Sequence, residues 1–222
     1  MPANAIVPRL YVDSTDTRRV SALLAAGVVH GVTTNPTILE RGGRTAAEIP
    51  SLYSQWEAEG AREIFFQTWG SSRGELLRNA ETIRALGDRV AVKVPATAEG
   101  FAAASALVAD GATVLITAVY SVAQALAAAS IGAEYIAPYL GRLRDAGVDG
   151  DALIPQMQAV CTGSATNVLA ASLRSADDIV SLRLAGVPYF TAAPDVLDQV
   201  LQHPVSDSSA VDFEAAMGRI GA

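Results

Sequence analysis

Lysine is almost missing from the 222 residues: of 16 basic side chains, all but Lys93 are arginine. A guanidinium stays charged under any ordinary condition, whereas a desolvated ammonium can lose its proton and become a nucleophile. Side-chain amine chemistry therefore has one possible seat. Cysteine is as scarce. Cys161 stands alone, which excludes an internal disulfide and a multi-cysteine metal site, and it reads as a small buried apolar residue. The two histidines, His30 and His203, fall in no metal-ligand spacing, so no metal is expected; His30 reads as a strand-entry residue and His203 as part of the turn before Pro204. No G-x-G-x-x-G and no Walker A segment occurs, which argues against an open doubly wound nucleotide-binding sheet.

An excess of positive charge is lacking too: the formal net charge is -7. A polyanion is repelled on average, so no nucleic-acid partner is expected, and anionic small molecules need locally placed arginines. The start, residues 1–9, has neither a basic leader nor an apolar h-region, from which a cytoplasmic location is expected. The uncharged run 111–133 is long enough for a membrane span. Its composition changes midway from β-branched Val114, Ile116 and Thr117 to an alanine-rich stretch after Ser121, as in a buried strand feeding a helix, and no membrane association is expected.

What is present is a repeating βα pattern. Half the residues are hydrophobic and 18% are charged, the balance of a well-packed chain. Candidate strands cover residues 9–14, 31–37, 62–69, 90–96, 112–120, 133–143, 165–172 and 187–193. Between them lie amphipathic stretches over 16–26, 46–59, 74–86, 99–110 and 176–185. Gly27, Gly60, Gly87, Gly111, Gly132 and Gly186 each stand where a helix would stop before a strand. Eight such units are the count that closes a parallel barrel. The expected fold is α/β: a single (β/α)8 TIM barrel over about 9–203 within a one-domain chain of 1–222, with an extra C-terminal helix at about 207–220, its apolar residues between Val211 and Ile220.

In a parallel barrel alternate strand residues face the interior, and reactive groups gather at the C-terminal strand ends. On the fourth strand Val90, Val92 and Val94 face the helices, which turns Ala91 and Lys93 inward. The same parity turns Tyr11 and Asp13, Gln67, Leu115 and Thr117, and Ala137 and Tyr139 inward. An amine, a carboxylate, an amide, a hydroxyl and a phenol thus converge on one mouth. An amine of ordinary pKa near ~10.4 is neutral in about one molecule in several thousand at neutral pH, and desolvation raises that fraction until Lys93 can attack a carbonyl. Asp13 is suited to exchange protons with hydroxyls, and Tyr139 with Gln67 and Thr117 to position a water. Asn35, held before Pro36, either grips a hydroxyl or caps the next helix. Arg142, Ser172 and Arg174 suit a phosphate, although either arginine alone also suits a surface ion pair.

These residues sit in segments that resemble a known family. Leu10-Tyr11-Val12-Asp13, Gly31-Val32-Thr33-Thr34-Asn35-Pro36-Thr37, Val92-Lys93-Val94-Pro95-Ala96-Thr97-Ala98-Glu99-Gly100, Thr117-Ala118-Val119-Tyr120, Gly132-Ala133-Glu134-Tyr135-Ile136-Ala137-Pro138-Tyr139 and Leu169-Ala170-Ala171-Ser172 resemble the transaldolase family, most of all its small subfamily that includes fructose-6-phosphate aldolases. The resemblance implies a Schiff-base lysine at Lys93, Asp13 as its acid/base partner, Thr34 and Asn35 at the sugar, and Arg142, Ser172 and Arg174 around its phosphate. It implies no cofactor beyond that covalent Schiff base. The implied reaction moves or releases a dihydroxyacetone unit from ketose phosphates such as fructose 6-phosphate or sedoheptulose 7-phosphate. Gln67 and Tyr139 stand where transaldolases usually carry Glu and Phe, and Leu115 where they often carry Asn, which resembles the aldolase branch. Trp69 and the segment Phe190-Thr191-Ala192-Ala193-Pro194 depart from that branch. The resemblance further implies a ring-like homo-oligomer, a pentamer or decamer, in which the last helix reaches a neighbour. The alternative of another class is a barrel that binds sugar phosphates without turnover.

Overall fold

The computed structural model describes residues 7–221; residues 1–6, most of the segment read for a leader, lie outside them. Short segments rich in β-branched, aromatic and other apolar residues form β1 (Arg9–Asp13), β2 (Gly31–Thr33), β3 (Glu63–Gln67), β4 (Val90–Pro95), β5 (Val114–Val119), β6 (Tyr135–Pro138), β7 (Asn167–Ala170) and β8 (Tyr189–Ala192). All pair in parallel in sequence order, and β8 returns to β1 to close the barrel. Around it run α1 (Thr17–Ala25), α2 (Pro36–Arg41), α3 (Ile49–Ala58), α4 (Arg73–Arg84), α5 (Ala98–Ala109), α6 (Val122–Ser130), α7 (Leu140–Asp145), α8 (Gly150–Cys161), α9 (Ala176–Leu184) and α10 (Pro194–Leu201). A final helix, α11 (Pro204–Ile220), follows the last unit. The expected (β/α)8 TIM barrel with an added C-terminal helix is the architecture the chain adopts.

Local chemistry sets the helix starts. Asp16, Asn35, Ser72, Thr97, Ser121, Asp149 and Ser175 each accept a hydrogen bond from the backbone N–H three residues on, which satisfies donors that a helix N-terminus leaves unpaired. The six glycines expected to stop helices all take positive φ, where a side chain would strain the backbone. The uncharged run 111–133 divides into β5 and α6, and among the described residues no helix is long and apolar enough to cross a membrane.

Two strands end well short of the sequence expectation, and the other six are trimmed by one or two residues at one or both ends. The second strand stops at Thr33, because Asn35 caps α2 and Pro36 occupies its first turn. The sixth stops at Pro138, and residues expected to extend it form α7. Their apolar spacing fits a strand and a short buried helix equally well. The C-terminal helix starts at Pro204 rather than 207, with His203 as its cap.

The parity of the strands separates two cores. Val12, Ile64, Val92, Ile116, Ile136 and Val168 face outward into the layer between strands and helices. Tyr11, Phe65, Ala91, Leu115, Ala137 and Leu169 fill the barrel interior. Toward the N-terminal end of the strands that interior closes with a polar plug built on Glu63. Tyr11 donates its hydroxyl to one Glu63 oxygen, and Tyr135 donates to the other at 2.6 Å. Arg9 lies 3.5 Å from the same carboxylate and 5.1 Å from the centre of the Tyr189 ring, and His30 Nε2 is also 3.5 Å from Glu63. Burial and the Glu63 charge push the Tyr11 phenol far up, and burial and the nearby Tyr11 do the same to Tyr135. Both therefore stay protonated donors.

Glu63→Leu leaves two buried phenols without acceptors, at about 1–3 kcal/mol each. Urea denaturation should show a loss of about 2–5 kcal/mol, with the chemical reactivity of Lys93, at the opposite end of the barrel, unchanged in the folded protein.

Candidate functional site

Strand register decides which side chains meet. Asp13 pairs with Thr33 across β1 and β2, Gln67 with Lys93 across β3 and β4, and Lys93 with Leu115 across β4 and β5. Thr117 stands beside Pro95 and Ala137 one step further toward the C-terminal ends. These positions open into a cavity of about 860 Å³. Asp13, Gln67, Lys93, Thr117 and Tyr139 line it, as do Asn35, Arg142, Ser172 and Arg174.

Lys93 is 3% exposed. Burial lowers its pKa from the ordinary 10.5, and the negative charge of Asp13 opposes the shift without cancelling it. Burial likewise raises the carboxyl of Asp13, against the pull of Lys93 and a 2.6 Å hydrogen bond donated by the Thr33 hydroxyl to Oδ1. An amine driven toward neutrality faces a carboxyl driven toward holding a proton. That pairing suits a nucleophile and a proton carrier working on one bound molecule.

The opposite wall carries the phenol. Tyr139 and Thr117 share a hydrogen bond of 2.8 Å between their hydroxyls, and the ring of Tyr120 stands edge-on to Tyr139 at 6.1 Å. Burial raises the Tyr139 pKa, and the Thr117 bond offsets part of the effect. Just past Thr117 the β5–β6 register shifts, and Ala118 takes φ 58°. Ser172 has the same φ. These two are the non-glycine residues at positive φ among the described residues, and both line the cavity. Strained backbone of this kind costs roughly 1–3 kcal/mol and persists where the surroundings enforce it.

Asn35 takes the capping role and also lines the cavity. Its Oδ1 accepts from the Ile38 N–H at 3.0 Å to cap α2, and its NH2 group remains for the cavity the residue lines. Thr34 is placed elsewhere. It is fully buried, its hydroxyl donates to the Phe65 carbonyl at 3.0 Å, and it does not reach the cavity wall. Its backbone N–H still bonds the Phe65 carbonyl, so the alternation of β2 carries on past Thr33 and turns Thr34 away from Asn35.

Arg142 comes from α7 rather than from the end of a strand. Arg174 donates to Asp145 at 2.6 Å and to the Gly141 carbonyl at 3.3 Å. A Cβ on Gly141 would sit 2.8 Å from Arg174 Nε and from both oxygens of Ser172. Only glycine lets α7 approach the β7 loop so closely. Several cavity residues escaped the sequence reading. Thr191 was accessible to the same parity rule, as was Thr33, which is buried behind the cavity wall and bonds Asp13; Arg41, Asp145 and Tyr120 carried no local signal, because helices and a loop bring them in.

The sequence matches the family model of Transaldolase/Fructose-6-phosphate aldolase over residues 10–220. The chain belongs to that family. It is similar to proteins named "Probable transaldolase" from Hyphomonas neptunium and Phenylobacterium zucineum, each 34% identical over 216 residues, with 96% of this chain and 98% of each relative covered. Among solved structures it is similar to thiamine phosphate pyrophosphorylase from Pyrococcus furiosus (TM-score 0.59, 16% identity, 83% of this chain and 85% of the other). A mandelate oxidase mutant gives TM-score 0.60 at 16% identity, covering 84% of this chain and 64% of the other. Identities this low speak to the barrel alone. Family membership comes from the sequence matches, and the positions carrying the family resemblance in β1 and β4 are those the barrel brings face to face, Asp13 and Lys93.

With one lysine in the chain, amine-specific labelling resolved by peptide mapping reads Lys93 directly. Its labelling should reach half-maximum below pH 10.5. Because Asp13 raises the lysine's pKa, Asp13→Asn should move that midpoint to still lower pH; a midpoint moving upward would contradict the described pairing.

Proposed function

We propose that the chain is a Schiff-base enzyme acting on ketose phosphates, transferring or releasing their three-carbon dihydroxyacetone unit. The observation that carries this reading is the buried amine of Lys93 opposite Asp13 in an open cavity. Neutral Lys93 Nζ adds to the ketone carbon, and loss of water leaves an iminium. Asp13 then takes the proton from the hydroxyl on the carbon beyond the bond to be broken. That oxygen's electrons form the aldehyde carbonyl, the carbon-carbon bond breaks, and its electron pair moves into the iminium to give an enamine. Arg142, Ser172 and Arg174 hold the phosphate, and Asn35 a sugar hydroxyl. No cofactor or metal is called for, since the iminium itself accepts the electrons.

The enamine has two fates. Protonation from a water positioned by Tyr139, Gln67 and Thr117 ends in hydrolysis and free dihydroxyacetone. Addition to a second aldehyde makes a new ketose. The uncharged Gln67 and the Tyr139–Thr117 hydrogen bond support a site able to hold that water, while the curated relatives carry the transferase name. The partners of the protein are then sugar phosphates in the cytoplasm, with neither nucleic acid nor membrane involved.

Borohydride reduction in the presence of fructose 6-phosphate should place one covalent adduct on Lys93, with the N-terminus as the only other candidate amine. Lys93→Arg should abolish the adduct and lower turnover by about 10⁴-fold or more. Product formed from fructose 6-phosphate alone identifies release, and product that needs erythrose 4-phosphate identifies transfer. Binding that survives Lys93→Ala, with no turnover by the unmodified protein, would instead establish the non-catalytic barrel.

The proposed assembly is a homo-oligomer, a ring of five or two such rings, held in part by α11. No residue of α11 is buried, and Phe213 and Met217, 69% and 46% exposed, lie one turn apart on it. An apolar stripe on an unpacked helix suits a neighbouring copy. Phe213→Glu combined with Met217→Glu should reduce the sedimentation coefficient toward that of smaller species.

A further inference from the structure

The carboxylate of Asp13 is held by a hydroxyl that is itself held. Thr33 on β2 is fully buried, and Thr191 on β8, 1% exposed, pairs in register with Tyr11 of β1. The Thr33 hydroxyl donates to Asp13 Oδ1 at 2.6 Å, and the hydroxyls of Thr33 and Thr191 lie 2.5 Å apart. A hydroxyl has one proton. Thr33 gives its proton to the carboxylate, so in the second contact Thr33 can only accept and Thr191 must donate. The chain thus has a fixed direction, Thr191 to Thr33 to Asp13 Oδ1, and it spans the three adjacent strands β8, β1 and β2 at their C-terminal ends.

We propose that Thr33 and Thr191 are positioning residues that tie up Oδ1 of Asp13, so that Oδ2 alone takes and returns the substrate's proton. This rests on the reading of Asp13 as the acid/base group. Chained hydrogen bonds polarise one another, so the outer hydroxyl strengthens the inner bond although it does not touch the carboxylate. Hydrogen bonding to the charged form favours ionisation and counters the burial that makes Asp13 cling to a proton. The charged or titratable groups that share this cavity are Lys93 of β4, Tyr120 after β5, Tyr139 after β6, Arg41 of α2, Arg142 and Asp145 of α7 and Arg174 after β7; of these, Lys93 and Tyr139 are the ones whose charge couples to Asp13. None of these takes the place of a donor fixed on Oδ1.

Thr33→Val and Thr191→Val remove the hydroxyls while keeping the branched shape. The readout is single-turnover aldehyde release after the Schiff base has formed, followed against pH, because Lys93 no longer titrates as an amine in that state. The acid limb should move to higher pH by about one unit in Thr33→Val and by a smaller amount in Thr191→Val. Thr191→Ser, which restores the donor, should return the limb to its original place. An unmoved limb in Thr191→Val overturns the proposal even if the rate falls, since lost packing alone leaves the midpoint unchanged. Borohydride adducts on Lys93 should persist in both valine variants. Should the unmodified protein form no adduct, the reading of the active site fails on its own. The relay is then judged by the carbon-13 carboxyl titration of Asp13, which needs no substrate; equal midpoints in the unmodified protein and Thr191→Val overturn it.

Discussion

Exclusion of water from one amine is the constraint on which the site depends. Lys93 is inside the barrel because β4 alternates, with valines outward and Ala91 and Lys93 inward. Closure of the barrel through β8 and β1 brings Asp13 to the same cavity. Burial acts in opposite senses on the two groups, pushing the amine toward its neutral form and the carboxyl toward its protonated form. Their mutual attraction works against both shifts. A barrel end that admitted bulk water would weaken all of these effects together, and an ordinary, fully charged lysine would remain.

The barrel interior divides its labour along its axis. At the N-terminal end Glu63 ties Tyr11, Tyr135 and Arg9 into a plug whose polar atoms answer one another. Phe65, Leu115 and Leu169 form the apolar middle. At the C-terminal end polar groups face a cavity that a ligand can fill. The same inward positions thus serve cohesion at one end and chemistry at the other, as the fold permits because its loops carry the variable chemistry.

Much of this was legible in the sequence, for stated reasons. The βα alternation, the glycine stops and the absence of a nucleotide fingerprint led to the barrel, and strand parity alone placed Asp13, Gln67, Lys93, Thr117 and Tyr139 on one face. The lone lysine named itself. What the sequence hid was set by non-local approach. Residues 140–145 could be strand or helix on spacing alone, and packing of Leu140 and Leu143 against the outer core makes them α7. The resemblance groups Thr34 with Asn35, although the alternation that turns Thr33 inward turns Thr34 out. Arg41 and Asp145 entered the cavity from helices, whose facing is decided by neighbours far along the chain.

Asp145 gives the Arg174 end of the cavity a character of its own. Its carboxylate already occupies Arg174 at 2.6 Å, so on the proposed reading a phosphorylated sugar arrives at an ion exchanger rather than at a bare cation. The dianion displaces a monoanion, and its net gain is the difference between two ion pairs. A neutral sugar has nothing to offer in exchange and leaves the latch shut. On that reading, selectivity for phosphorylated over unphosphorylated ligands would come from competition with this ion pair at the cavity mouth.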